Sequence, residues 1–140
     1  MKKKEITFTI NTLAQAKKIV EEAKIYELIP ILHFKSYILI GFGCDFIITL
    51  RKMLLSTYGK GSFKLFVDCG FDKSRSIELA TEKIDFIKLK GNSTILKKIK
   101  NIADKNRVLL NPSFNIVDCR NIKNIKLKFK KLYTREKNEN

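Results

Sequence analysis

Short apolar runs alternate with helix-length amphipathic stretches along most of this chain, and that rhythm restricts the fold more than any single motif. Glu5 to Ile10 alternates, with Ile6, Phe8 and Ile10 on one side and Thr7 and Thr9 on the other, which predicts a strand. Asn11-Thr12 then caps a helix in which Leu13, Ala16, Ile19, Val20 and Ala23 recur at helical spacing. Pro30 excludes a helix, and Ile31 to Phe34 reads as a second strand. Ser36 to Gly43 reads either as an extension of that strand or as an apolar loop punctuated by Gly41 and Gly43. A second helix is expected from about Cys44 to Tyr58, ended by Gly59 and Gly61.

The same alternation continues. Phe63 to Val67 is a third strand, and Asp72 or Ser74 caps a helix running to Ile84. Phe86 to Leu89 is a fourth strand. Asn92-Ser93 caps a helix from Thr94 to about Asn106, and Val108 to Leu110 is a short fifth strand. Helix-length crossovers between successive strands predict right-handed βαβ units and a parallel sheet. The expectation is a single α/β domain of about five parallel strands and four helices, either an open three-layer sheet or a half-barrel. After Pro112 the rhythm weakens. Asn115 to Asp118 is a last short strand or a turn. Ile125, Leu127 and Phe129 alternate with Lys126, Lys128 and Lys130, as an amphipathic strand or a docking tail would. The domain is expected over residues 1–133, with a frayed basic tail over 134–140.

Composition narrows the partners. The formal net charge is +15, and 44% of the residues are hydrophobic, enough for a real core. Such charge suits nucleic acid or acidic surfaces. Yet the cations are overwhelmingly Lys, and Ile, Asn and Phe are also heavily used, as AT-rich codons would dictate without selection for charge. Nucleic acid is therefore a partner not favoured. Cys44, Cys69 and Cys119 form no C-x-x-C pair, and His33 is the sole histidine, so neither a structural zinc site nor a disulfide framework is indicated. A reduced, cytoplasmic protein is the simpler reading. Lys2-Lys3-Lys4 is not followed by the apolar core of a signal peptide, and Ser36 to Leu50 falls short of a membrane span. No cofactor motif is present: the turns at Gly70 and Gly91 match neither dinucleotide nor P-loop spacing.

The candidate site follows from the architecture. Parallel strands end at one edge, where α/β proteins bind ligands. That edge would collect Asn11, Lys35 and Ser36, Asp68 and Cys69, Lys90, and Asn111. Asp68 closes an apolar strand, as a ligand group or as a carboxylate accepting N–H bonds from the turn at Gly70. Cys69 reads as a nucleophile only if a helix start stabilises its thiolate, and otherwise as a buried thiol. Lys88 and Lys90 share one side of the fourth strand, where a desolvated lysine can form an imine or, on an exposed edge, discourage sheet association. Gly91-Asn92-Ser93-Thr94 and Gly70-Phe71-Asp72-Lys73-Ser74 each offer helix-start N–H groups to an anion, or cap themselves. His33 reads as a satisfied core histidine rather than a catalyst.

From Thr12 to Asp118 the chain resembles a family of small uncharacterised alphaproteobacterial proteins. The residues that carry the resemblance are Leu13-Ala14-Gln15-Ala16, Gly43 before the second helix, Val67-Asp68-Cys69-Gly70, and Asn115-Ile116-Val117-Asp118. It implies an Asp-Cys-Gly turn between an apolar strand and a helix, and it implies no activity. The resulting expectation is a small ligand, with an anion among the options, bound by candidates Asp68, Cys69, Lys35, Lys90, Asn92 and Ser93. The alternatives are a lyase-like half-barrel enzyme using Asp68 with Lys88 or Lys90, and an RNA-associated protein using the basic stretch Lys126 to Lys131 with Phe129 and Tyr133.

Overall fold

The computed structural model describes residues 2–134, and the tail expected over 134–140 lies outside them except for the backbone of Thr134. Six strands, β1 (Lys4–Thr9), β2 (Leu28–Phe34), β3 (Lys64–Asp68), β4 (Phe86–Lys88), β5 (Leu109–Leu110) and β6 (Ile116–Asp118), alternate with helices α1 (Leu13–Ile25), α2 (Ser36–Tyr58), α3 (Lys73–Thr81) and α4 (Ser93–Lys105). A fifth helix, α5 (Ile125–Phe129), follows β6 and continues into a π-helical turn over Lys130–Thr134. Every strand pair is parallel, in the order β5-β4-β3-β2-β1-β6. The α/β fold is therefore the one the sequence predicts, with β6 adding a sixth strand beside β1.

The two faces of the sheet differ. Phe8, Leu32, Phe34, Leu65, Val67 and Ile87 point one way and share a core with Ile19 of α1, Ile47 of α2, Leu79 of α3, Ile99 of α4 and Phe129 of α5. All five helices thus pack on one face, as sequential right-handed crossovers require. The opposite face carries Thr7, Thr9, Ile31, His33, Lys64 and Phe66 in the alternate positions, and among the described residues no helix covers it. This is the half-barrel of the two architectures expected, not the three-layer sheet.

Curvature follows from the chain itself. Only residues 111–115 connect β5 at one edge to β6 at the other. Their six Cα steps reach about 20–22 Å at most. Five inter-strand spacings of a flat sheet need about 24 Å. The sheet must curl for the connection to close. On the face opposite the helices Lys64 on β3 bonds Glu5 on β1 at 2.6 Å, reaching over the intervening β2.

Two segments differ from expectation. Ser36 to Gly43 is neither strand nor loop but the first part of α2, which breaks at Gly43 (φ 82°) and resumes. β2 has already ended at Phe34, so Ile38 and Leu39 can be buried against the core only by turning back over the sheet as a helix. The segment around Ile125, Leu127 and Phe129 is helical, not a strand. Ile125 and Phe129, four residues apart, are buried while Leu127 is exposed, and Asn124 caps the turn by accepting from Leu127 N. It docks by stacking Phe129 on Phe8, with 5.0 Å between ring centroids.

Candidate functional site

The strand register fixes what meets at the open end of the concave face. One row across the sheet runs Asp118–Thr9–His33–Phe66–Phe86. Two residues further along, Lys35 follows β2, Asp68 ends β3 and Lys88 ends β4, with Asp68 and Lys88 in register. Arg120 and Lys90 complete the rim. Together these residues line a cavity of about 640 Å³, a size ordinary for small-molecule sites.

The floor is aromatic with one polar group. Phe114, from the segment that crosses the concave face, meets Phe66 and Phe86 edge-on at 5.7 and 5.0 Å between centroids. Asn111 holds that segment in place: its side chain accepts from Leu89 N at 2.8 Å and donates to Leu89 O at 3.1 Å, continuing the β4–β5 ladder beyond its last strand residue. His33 lies beside Phe66 with 4.7 Å between centroids, and its Nδ1 is 2.8 Å from the Thr9 hydroxyl. Burial pushes the imidazole down to about 4. Asp68 opposes that shift, and Lys35, Lys88 and Arg120 reinforce it. His33 is therefore neutral near pH 7.

The rim is cationic. Arg120 engages Asp118 through Nε at 2.9 Å and Nη2 at 2.7 Å, and this bonding holds the Asp118 carboxyl down to about 2 and raises the guanidinium. Asp68 is half-buried, and its Oδ1 accepts from Gly70 N at 2.8 Å, the turn-capping bond the sequence suggests. Lys90 donates its backbone N–H to Gly70 O at 2.7 Å and places its ammonium 5.8 Å from the Phe71 ring centroid. Four rim cations face two carboxylates, and one carboxylate is committed to Arg120.

Of the candidates read from the sequence, Asp68, Lys35 and Lys90 come together at this cavity, joined by Lys88. Cys69 does not reach it. Its side chain is fully buried with the core, its N–H bonds Lys88 O at 2.8 Å, and burial pushes the thiol up to about 12, far from a thiolate nucleophile. Asn92 and Ser93 sit at the start of α4, where Asn92 accepts from Ile95 N, so the helix start caps itself. Asp72 does the same for α3, accepting from Arg75 N and pairing with its guanidinium. Asn11 accepts a hydrogen bond from the Tyr37 hydroxyl at the lip. Asn111, expected at this edge, also lines the cavity, as does His33, expected as a core histidine, while Thr9, Phe114, Asp118 and Arg120 were not among the candidates. The one available signal for His33 was its place in the alternation Ile31, His33, Lys35, opposite the helix-facing Leu32 and Phe34.

The basic stretch offers no stacking platform at Phe129, which is fully buried against Phe8 and Tyr26. Among the described residues no cluster of three or more His, Cys, Asp or Glu side chains is placed to hold a metal ion, and no helix is long and apolar enough to cross a membrane. No protein-family model matches the chain, and no curated protein sequence matches it.

Proposed function

We propose that this protein binds a small anionic molecule in the mouth of the half-barrel, at the carboxyl ends of its strands. One observation carries the reading: Lys35, Lys88, Lys90 and Arg120 surround a single cavity with an aromatic floor, although they are scattered from residue 35 to residue 120 of the sequence. A net cationic, partly enclosed rim concentrates anions and weakens their competition from water. The three thiols, all buried and unpaired, support a reducing, cytosolic setting for this activity. Thermal-shift titration with inorganic phosphate and small phosphate esters tests it. Stabilisation should be saturable, fall with salt, and weaken at least about tenfold in Lys88→Ala. Equal titration of wild type and variant would contradict the site.

A second reading is favoured by the register, which puts Lys88 beside Asp68 across β3 and β4. That geometry suits a lyase-like reaction in which the Lys88 amine adds to a substrate carbonyl and releases water as the imine forms, with Asp68 handling the proton. Borohydride reduction with a phosphorylated aldehyde, followed by peptide mass mapping, should find the adduct on Lys88. An unmodified Lys88 under conditions where the aldehyde binds would leave binding alone as the function.

A further inference from the structure

The histidine at the bottom of the mouth is not explained by anion binding. A neutral imidazole adds no charge to the rim, and the core face of the sheet shows that this chain fills positions in β2 with Leu and Phe where packing is all that matters. His33 is only 5% exposed, yet it lines the cavity. Its Nδ1 is held by Thr9, itself 1% exposed. Nε2 has no hydrogen-bond partner among the described residues. No fully buried side-chain nitrogen or oxygen there lacks one, so Nε2 opens onto the cavity. The result is one fixed, uncharged hydrogen-bonding group aimed up from an aromatic floor toward a ring of cations.

We propose that His33 is a specificity-determining residue: it recognises a hydroxyl or carbonyl oxygen of a short-chain phosphate monoester whose phosphate is held at the rim. The inference rests on the anionic-ligand reading and adds the second half of the ligand. Two features set the class. The rim cations exceed the rim carboxylates by two charges, which matches a phosphate monoester dianion better than a carboxylate. Lys35 lies two residues beyond His33 on the same side of β2, about 6–7 Å along the strand. That backbone separation suits a phosphate and an oxygen spaced by a few carbons. Thr9 is a positioning residue, since its hydroxyl decides which way the ring presents Nε2.

Because His33 is the sole histidine, its imidazole resonances need no mutagenesis to assign. The experiment titrates wild type, His33→Phe and Thr9→Val with glycerol 3-phosphate, ethyl phosphate and inorganic phosphate, following binding by calorimetry and the imidazole by nitrogen-15 NMR. In wild type, glycerol 3-phosphate should bind at least about tenfold tighter than ethyl phosphate, because a site built to pair a ligand oxygen is left unpaired by the analogue lacking it. The imidazole signals should move with glycerol 3-phosphate and stay in place with ethyl phosphate. His33→Phe should bind both esters alike, and Thr9→Val should lose part of the preference while still binding inorganic phosphate. Equal affinities in wild type with an unmoved imidazole would overturn the role of His33 and leave the anion site standing. Failure of all three phosphates to bind would overturn the anion site as well. If His33→Phe does not fold, the wild-type affinities and NMR shifts decide the question alone.

Discussion

The two faces of the sheet are built from the same strands and do opposite work. On β2, Leu32 and Phe34 vanish into the helix-packed core, while Ile31, His33 and then Lys35 face the hollow of the half-barrel. On β3, Leu65 and Val67 are core, and Phe66 and Asp68 belong to the mouth. A parallel strand in a doubly covered sheet reads as a continuous apolar run because both faces are buried. Here one face has no helix over it among the described residues, so its alternate positions are released from packing and carry hydrogen bonds, aromatic surface and charge. The helix-packed core and the candidate site are thus separated by a single step along each strand.

The largest expected contrast comes from truncating the core face. Leu65→Ala removes a fully buried side chain from the helix-packed cluster and should cost about 2–5 kcal/mol in denaturant unfolding. Ligand affinity per folded molecule should be unchanged. A cost below about 1 kcal/mol would mean that the helix-facing core is not where stability resides.

Acid should expose the other face. His33 has its imidazole depressed to about 4 in the folded chain, against about 6.5 when unfolded. Between those values the unfolded state binds the proton and the folded state does not, so stability is full above about pH 6.5 and falls as pH drops toward 4. The loss from this group is on the order of 3–4 kcal/mol at most. Urea unfolding at pH 7 and pH 4.5 should show it, and His33→Phe should flatten that part of the profile. An unchanged slope in the variant would show that other groups govern the acid limb.

A smaller effect should mark the strap that crosses the hollow. Asn111→Ala loses both hydrogen bonds to Leu89 and leaves alanine at φ 53°, so a cost of about 1–3 kcal/mol is expected. Asn111→Gly loses the same bonds without the backbone strain and should be milder by about 0.5–1 kcal/mol. Equal costs would mean the backbone there is not strained. Smallest of all, Lys88→Ala removes an exposed rim cation and should change stability by less than about 0.5 kcal/mol. Its effect should appear in anion binding instead.

This contrast also explains what could be read from residues alone. The parallel α/β order was legible because each core face repeats apolar residues with a strand or helix period, from Phe8 and Ile10 to Ile99 and Ala103. Asp68, Lys35 and Lys90 were legible as neighbours because all parallel strands end at one edge. The role of His33 was not, because a histidine between Leu32 and Phe34 is flanked by core residues and its own face becomes a cavity only when the sheet curls. Asp118 and Arg120 reach the mouth through β6, whose place beside β1 is a long-range event with no local signature. Residues 36–43 and 125–129 misled for a shared reason. Both are short, and in such segments strand and helix periods are satisfied together until tertiary contacts choose between them.

The proposed site for a small phosphate ester is the uncovered face, at the carboxyl ends of its strands. Backbone NMR shift mapping during titration with glycerol 3-phosphate tests it most directly. The account predicts perturbations grouped at Thr9, His33, Lys35, Asp68, Lys88 and Asp118 to Arg120, with α1, α4 and α5 silent. Perturbations centred on Lys126 to Lys131, or on the amino-terminal ends of the strands, would contradict it.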